Sequence, residues 1–224
     1  MFELYLDSAD LGQISRFGTC LPVRGITTNP SILAKSGIGL TELLPRVTQS
    51  LGEKARIHVQ VVSGSAEAMV REALNLRELN YDIIVKVPAT EIGLTAIKQM
   101  KARNIPVLAT AIYSVQQGFL AALCGADYLA PYVNRIDAMG ANGIGVVADL
   151  QLLLDRHRLG SKLLPASFKN TQQVLEVLKA GVASITLPPD IAAELFAHPA
   201  VQPAVNRFSQ DWQEIFGERL SFES

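Results

Sequence analysis

Short apolar runs alternating with amphipathic stretches set the rhythm of this chain. ELYLD, RGITT, ARIHVQVV, DIIVKVP, IPVLATAIY, ADYLAPYV, SKLLPASF and SITLP are eight runs of strand length, apolar or rich in β-forming residues. Between them, residues 67–79, 94–102 and 171–180 repeat apolar side chains every three or four positions, the period of a helix. Ser114 with Gln117, and in weaker form Asn170 with Gln173, have the spacing of capping boxes, and Gly181 follows LKA as a helix stop. Strand and helix alternate, which predicts parallel strands joined by right-handed crossovers. Eight such units close into an α/β fold of the TIM (β/α)8 barrel type, which leaves no exposed edge. An open doubly wound sheet is the alternative, but LYLDSAD carries no glycine-rich turn after the first strand. GANGIG, residues 140–145, lies far downstream of that position and reads as a flexible loop.

After the eighth run, a helix is expected near Asp190 to Ala197, stopped by Pro199. A second amphipathic helix over 201–218 follows, with Val201, Val205, Phe208, Trp212 and Ile215 on one stripe. Such a stripe must be covered, either by its own barrel or by a neighbouring subunit.

Composition narrows the picture further. A chain of 224 residues, 49% hydrophobic, fits a single domain over 1–224 with a large core. Twenty basic against 21 acidic residues give a net charge of −1, which provides no field for drawing the chain onto nucleic acid or an anionic membrane. The opening MFELYLDSAD has acids where a signal peptide needs bases, and no apolar run nears the roughly 18 residues of a membrane span, so a cytoplasmic protein is expected. Cys20 and Cys124 have no metal-like spacing and read as small buried hydrophobes; neither a disulfide nor a metal site is expected.

In barrel enzymes the active site lies at the C-terminal ends of the strands. Here those ends deliver Asp7, Thr27 with Thr28 and Asn29, Gln60, Lys86, Thr110, Tyr132 with Asn134 and Arg135, and Ser167 with Lys169. Seven polar strand ends converging on one mouth have the geometry of a site; only SITLP adds mostly apolar wall. Lys86 stands out, a lysine between Ile83, Ile84, Val85 and Val87. Burial there disfavours the ammonium, and bringing a lysine from about 10.4 toward about 7 takes roughly 4 to 5 kcal/mol. A neutral amine can attack a carbonyl and form a Schiff base, whose positive nitrogen serves as an electron sink for carbon–carbon chemistry without a cofactor. The competing reading pairs Lys86 with a buried carboxylate, for which Asp7 is the strand-end candidate. Imine chemistry needs proton shuttling, for which Tyr132 and a water held by Gln60 and Thr110 are candidates, although each residue type also serves ordinary structural hydrogen bonding. Arg135, Ser167 and Lys169 could clamp an oxyanion or phosphate; the plainer readings are an ion pair of Arg135 with Asp137 and surface solvation of Lys169. His58, His157 and His198 carry no assigned role, and His58 could face either side of its strand.

LYLDSAD at the first strand, GITTNPS at the second, VKVPAT around Lys86, PYVNRID at the sixth and ASFKN at the seventh resemble the transaldolase family over nearly the whole chain. The short chain and the pair Gln60 and Tyr132 resemble its fructose-6-phosphate aldolase subfamily, since transaldolases generally carry glutamate and phenylalanine there. The resemblance implies a class I aldolase on a TIM barrel that joins dihydroxyacetone to glyceraldehyde 3-phosphate, giving fructose 6-phosphate, and the reverse. It makes Lys86 the Schiff-base lysine and Tyr132 the acid/base, with Gln60 and Thr110 placing the water. Asp7, Thr27 and Asn29 match residues that hold the donor hydroxyls and orient the lysine; Arg135, Ser167 and Lys169 match the phosphate end. Family members are commonly ring-like homo-oligomers, often decamers, with the last helix reaching a neighbour, a role that suits the Trp212 stripe. Pro165 and the MGANGIG segment depart from the subfamily pattern and bear on the choice of aldehyde. Two other readings remain open: a transaldolase that transfers the same three-carbon unit between sugar phosphates, and a noncatalytic barrel that binds phosphorylated ligands through Arg135 and Lys169.

Overall fold

The computed structural model describes residues 2–223; Met1 and Ser224, the ends of the expected 1–224 domain, lie outside them. Eight strands occur among the described residues: β1 (Glu3–Asp7), β2 (Val23–Thr27), β3 (Arg56–Gln60), β4 (Asp82–Pro88), β5 (Val107–Ile112), β6 (Tyr128–Pro131), β7 (Lys162–Leu163) and β8 (Ser184–Leu187). The helices are α1 (Leu11–Cys20), α2 (Pro30–Ser36), α3 (Leu40–Leu51), α4 (Ala66–Arg77), α5 (Glu91–Lys101), α6 (Val115–Leu123), α7 (Val133–Ala138), α8 (Gly143–His157), α9 (Thr171–Lys179), α10 (Pro189–Glu194) and α11 (Val201–Phe216). All strand pairs are parallel, in the order β7-β6-β5-β4-β3-β2-β1-β8. The fold is the TIM barrel that the alternation predicts.

The barrel closes most thinly between β7 and β8. SKLLPASF forms only a two-residue strand, extended by a bridge from Ala166 to Tyr132. Alternate residues of this run, Leu164 and Ala166, donate to β6. Pro165 falls on the β8 side and has no N–H to donate, so the seam rests on its carbonyl, which accepts from Thr186 N at 3.1 Å, and on Ser184 Oγ donating to Leu163 O at 2.8 Å.

Strand alternation sorts the core into two bodies. Outward side chains such as Ile57, Ile83, Val85 and Val87 pack between sheet and helices, while Tyr5, Ile84, Leu108, Tyr128, Ala130 and Leu164 fill the barrel. Below this inner layer the barrel is plugged by charge. Arg56 donates to Asp82 at 3.0 Å and to the Tyr128 hydroxyl at 2.7 Å, and that hydroxyl donates to Glu3 at 2.8 Å. Lys162 reaches Glu3 at 3.2 Å.

At the opposite end, where the strands finish, helices begin. Asp10, Asn29, Ser65, Thr90, Ser114, Asn142 and Asn170 each cap a helix by accepting the backbone N–H three residues on, so part of the polarity at the strand ends is capping. GANGIG is not a flexible loop: Asn142 caps α8, Gly143 N donates to Asp137 Oδ1 at 2.7 Å, and a Cβ at Gly143 would lie 2.3 Å from the Val133 carbonyl oxygen. The glycine is there because the start of α8 packs against the backbone of α7. Cys20 is exposed rather than buried and Cys124 is partly buried; both are free thiols. The stripe on α11 is not docked on its own barrel: no residue of the helix is buried, and Val205, Phe208 and Ile215 are exposed. No helix among the described residues is long and apolar enough to cross a membrane.

Candidate active site

The inward alternation that places Tyr5, Ile84, Leu108 and Ala130 in the barrel carries the next residues of the same strands to its mouth. Lys86 stands one step above Ile84 on β4, in register with Gln60 on β3. It is 4% exposed, and Nζ donates to the Thr28 carbonyl at 2.6 Å. Thr28 is itself locked, since its N–H and hydroxyl both donate to the His58 carbonyl, at 3.0 and 2.9 Å. Burial lowers the lysine's pKa, and the negative charge of Asp7 only partly opposes this. Lys86 forms no ion pair among the described residues, so the reading in which Asp7 neutralises it in a buried pair is not what the chain does.

Asp7 is held from the other side. Thr27 Oγ1 donates to Asp7 Oδ1 at 2.6 Å and lies 2.7 Å from Thr186 Oγ1. Thr27 has one hydroxyl proton, and spending it on Asp7 makes Thr186 the donor to Thr27. Thr186, from β8, is thus part of the mouth although SITLP reads as apolar wall. It is a threonine at an inward position of a strand, and that alternation is the signal that would have found it.

Tyr132, at the end of β6, meets Thr110 of β5 at 2.8 Å between hydroxyl oxygens. Burial raises its pKa, while the hydrogen bond with Thr110 and the nearby charge of Arg135 act against that rise. Arg135 does not pair with Asp137. That carboxylate accepts instead from Gln173 Nε2 and Gly143 N, both at 2.7 Å. The Arg135 guanidinium lies 4.9 Å from the Tyr132 ring centroid and donates to the Tyr113 hydroxyl at 3.4 Å. Tyr113, absent from the sequence reading of the site, packs edge-on against Tyr132 at 5.6 Å.

The remaining candidates are more loosely gathered. Asn29 Oδ1 is engaged in capping α2 through Ile32 N at 2.9 Å. Ser167 has a positive φ of 62° and ties its carbonyl to Asn134 N, which sets the segment after β7 beside α7. Lys169 is exposed, with its backbone N–H donating to Gln173 Oε1. His58 faces inward, fully buried one step below Gln60, with Tyr5 and Tyr128 edge-on to its ring. Burial and the positive charges of Lys86 and Arg56 hold it well below the ordinary histidine range, so it is neutral. A cleft of about 890 Å³ opens beside Asp7, lined by Asp10, Arg16, Lys35 and Asp190 among others.

Together, a buried amine whose pKa burial lowers, a fixed carboxylate and a hydrogen-bonded phenol are the groups that imine formation and proton transfer require. A family model described as transaldolase/fructose-6-phosphate aldolase matches residues 4–222. Among solved structures, an arginine-to-lysine variant of flavocytochrome b2 is similar with a TM-score of 0.61 at 12% identity, over 97% of this chain and 65% of that one. A flavocytochrome b2 variant with benzoylformate gives a TM-score of 0.61 at 13% identity. This chain spans 65% of the length of both, and at such identity the likeness shows the barrel alone.

Proposed function

The chain belongs to the transaldolase/fructose-6-phosphate aldolase family, and from that membership we propose that it is a class I aldolase joining dihydroxyacetone to glyceraldehyde 3-phosphate, reversibly, to give fructose 6-phosphate. The observation that carries the reading is Lys86: a lysine in a barrel strand, buried at the mouth, with its ammonium disfavoured and no ion-pair partner among the described residues. Its neutral amine adds to the ketone carbonyl. The carbinolamine loses its hydroxyl as water with a proton supplied through Tyr132, leaving an iminium. Loss of a C–H proton then gives the enamine, whose carbon attacks the aldehyde, and the new alkoxide takes up the proton. Hydrolysis releases the product and restores the amine. Asp7, fixed by Thr27, offers a negative charge to the iminium and an acceptor to donor hydroxyls. Gln60 and Thr110 hold the water, Thr27 and Asn29 meet the donor, and Arg135, Ser167 and Lys169 receive the phosphate. The reading places the enzyme in the cytoplasm, with the α11 stripe covered by a second copy in a homo-oligomer of decamer type.

A transaldolase would use the same imine but take its enamine only from a ketose phosphate. The test is to supply free dihydroxyacetone with glyceraldehyde 3-phosphate and follow fructose 6-phosphate. Product formation is expected; product only when a ketose phosphate is the donor would replace the aldolase by the transferase.

A further inference from the structure

We propose that Tyr113 is a positioning residue that holds the Arg135 guanidinium against the ring of Tyr132, so that this cation assists proton transfer by Tyr132 whether or not the substrate carries a phosphate. The inference rests on the reading of Tyr132 as the acid/base group.

It starts from an irregularity in β5. The pairing of β5 with β6 shifts between Ala109 and Ile112, and Ala111 has φ of +55°. Leu108 lies in the inner cluster and Val107 and Ala109 in the outer one, so regular alternation would point Ile112 inward and Tyr113 outward. Ile112 is instead in the outer core, and Tyr113 reaches the mouth. The extra residue of a bulge re-aims the strand end in this way. A non-glycine residue at positive φ costs about 1 to 2 kcal/mol, a cost that persists where surrounding structure fixes the backbone.

The turn that follows is fixed in turn. Ser114 caps α6, and the Gln117 side chain reaches back to accept from Tyr113 N at 3.0 Å. The Tyr113 hydroxyl then accepts from Arg135 while its ring abuts Tyr132. Arg135 sits three residues after Tyr132, on α7, and its guanidinium faces the Tyr132 ring. The groups around Tyr132 are Thr110 and the Ala111 backbone from β5, Arg135 from α7, Tyr113 from the turn, Asp7 from β1, and Lys86 pointing into the same mouth from β4. Of the charges acting on the phenol, Arg135 favours loss of the proton and Asp7 opposes it.

The test titrates Tyr132 in the full-length protein labelled with 13Cζ-tyrosine, its resonance identified as the one lost in Tyr132→Phe. Tyr113→Phe should raise the Tyr132 midpoint by about half a pH unit or more, and Arg135→Gln at least as far. The double variant should lie no higher than Arg135→Gln alone, because Tyr113 acts through Arg135. With an aldehyde acceptor lacking phosphate, both single variants should lower kcat about threefold with KM little changed. An unmoved midpoint in Tyr113→Phe, a shift of equal size when Tyr113→Phe is placed on Arg135→Gln, or an unchanged kcat with that aldehyde would overturn the proposal. The titration needs no turnover, so it stands apart from any failure of the aldolase reaction itself.

Discussion

At the scale of single residues, the proposed chemistry depends on a lysine placed where its charge is unwelcome. Because burial lowers the pKa of Lys86 in the folded chain, the unfolded chain holds that proton to higher pH. Between the lowered folded value and the ordinary lysine value of about 10.4, the unfolded state therefore binds more protons, and folding stability contributed at this position rises with pH. Denaturant unfolding of the wild type and Lys86→Met between neutral pH and about pH 10 should show the wild type gaining on the variant as pH rises. Parallel curves would mean an ordinary solvated amine. For Tyr132, loss of the hydroxyl in Tyr132→Phe should lower kcat by about 10² to 10⁴ if the phenol does acid/base work, and a smaller change would limit it to packing. Lys86 was legible because DIIVKVP puts a charge inside an apolar run, which folding must either exclude or use. Thr186 and the Thr28 carbonyl were not. A threonine in a strand and a backbone oxygen carry no sequence mark, and only the barrel brings them to Thr27 and to the lysine.

At the scale of elements, the alternation of short apolar runs and helical periods placed every strand, since each buries two faces and must read as nearly continuous hydrophobic residues. The bulge in β5 was hidden because IPVLATAIY alternates equally well in either phase, and a bulge is a two-strand property. The same limit hid Tyr113. The GANGIG segment was misread because glycines signal freedom in sequence, while Gly143 serves a close approach to the Val133 carbonyl. Ala111 gives this scale its prediction. Ala111→Gly should stabilise the fold by about 0.5 to 1 kcal/mol through relief of the positive φ, whereas Ala111→Val, branched at Cβ, should destabilise by more than that. Chemical denaturation reads both, and equal stabilities would show that the strand end is unstrained.

At the scale of the whole molecule, the barrel divides its labour between two ends. The lower end is closed by Arg56, Asp82, Glu3, Tyr128 and Lys162, while at the upper end Lys86 has no ion pair among the described residues. Arg56, Asp82 and Lys162 lie at strand starts, where a reading guided by strand ends does not look. The α11 stripe stands off its own barrel and, in our account, meets another copy. Phe208→Glu with Ile215→Glu should therefore lower the mass seen by light scattering while leaving the far-ultraviolet dichroism unchanged; an unaltered mass would assign the interface elsewhere. The central claim is covalent and can be tested as such. Dihydroxyacetone with borohydride, followed by peptide mapping, should leave one reduced three-carbon adduct, on the peptide that carries Lys86. Turnover accompanied by an adduct on a different lysine, or by none, would contradict it.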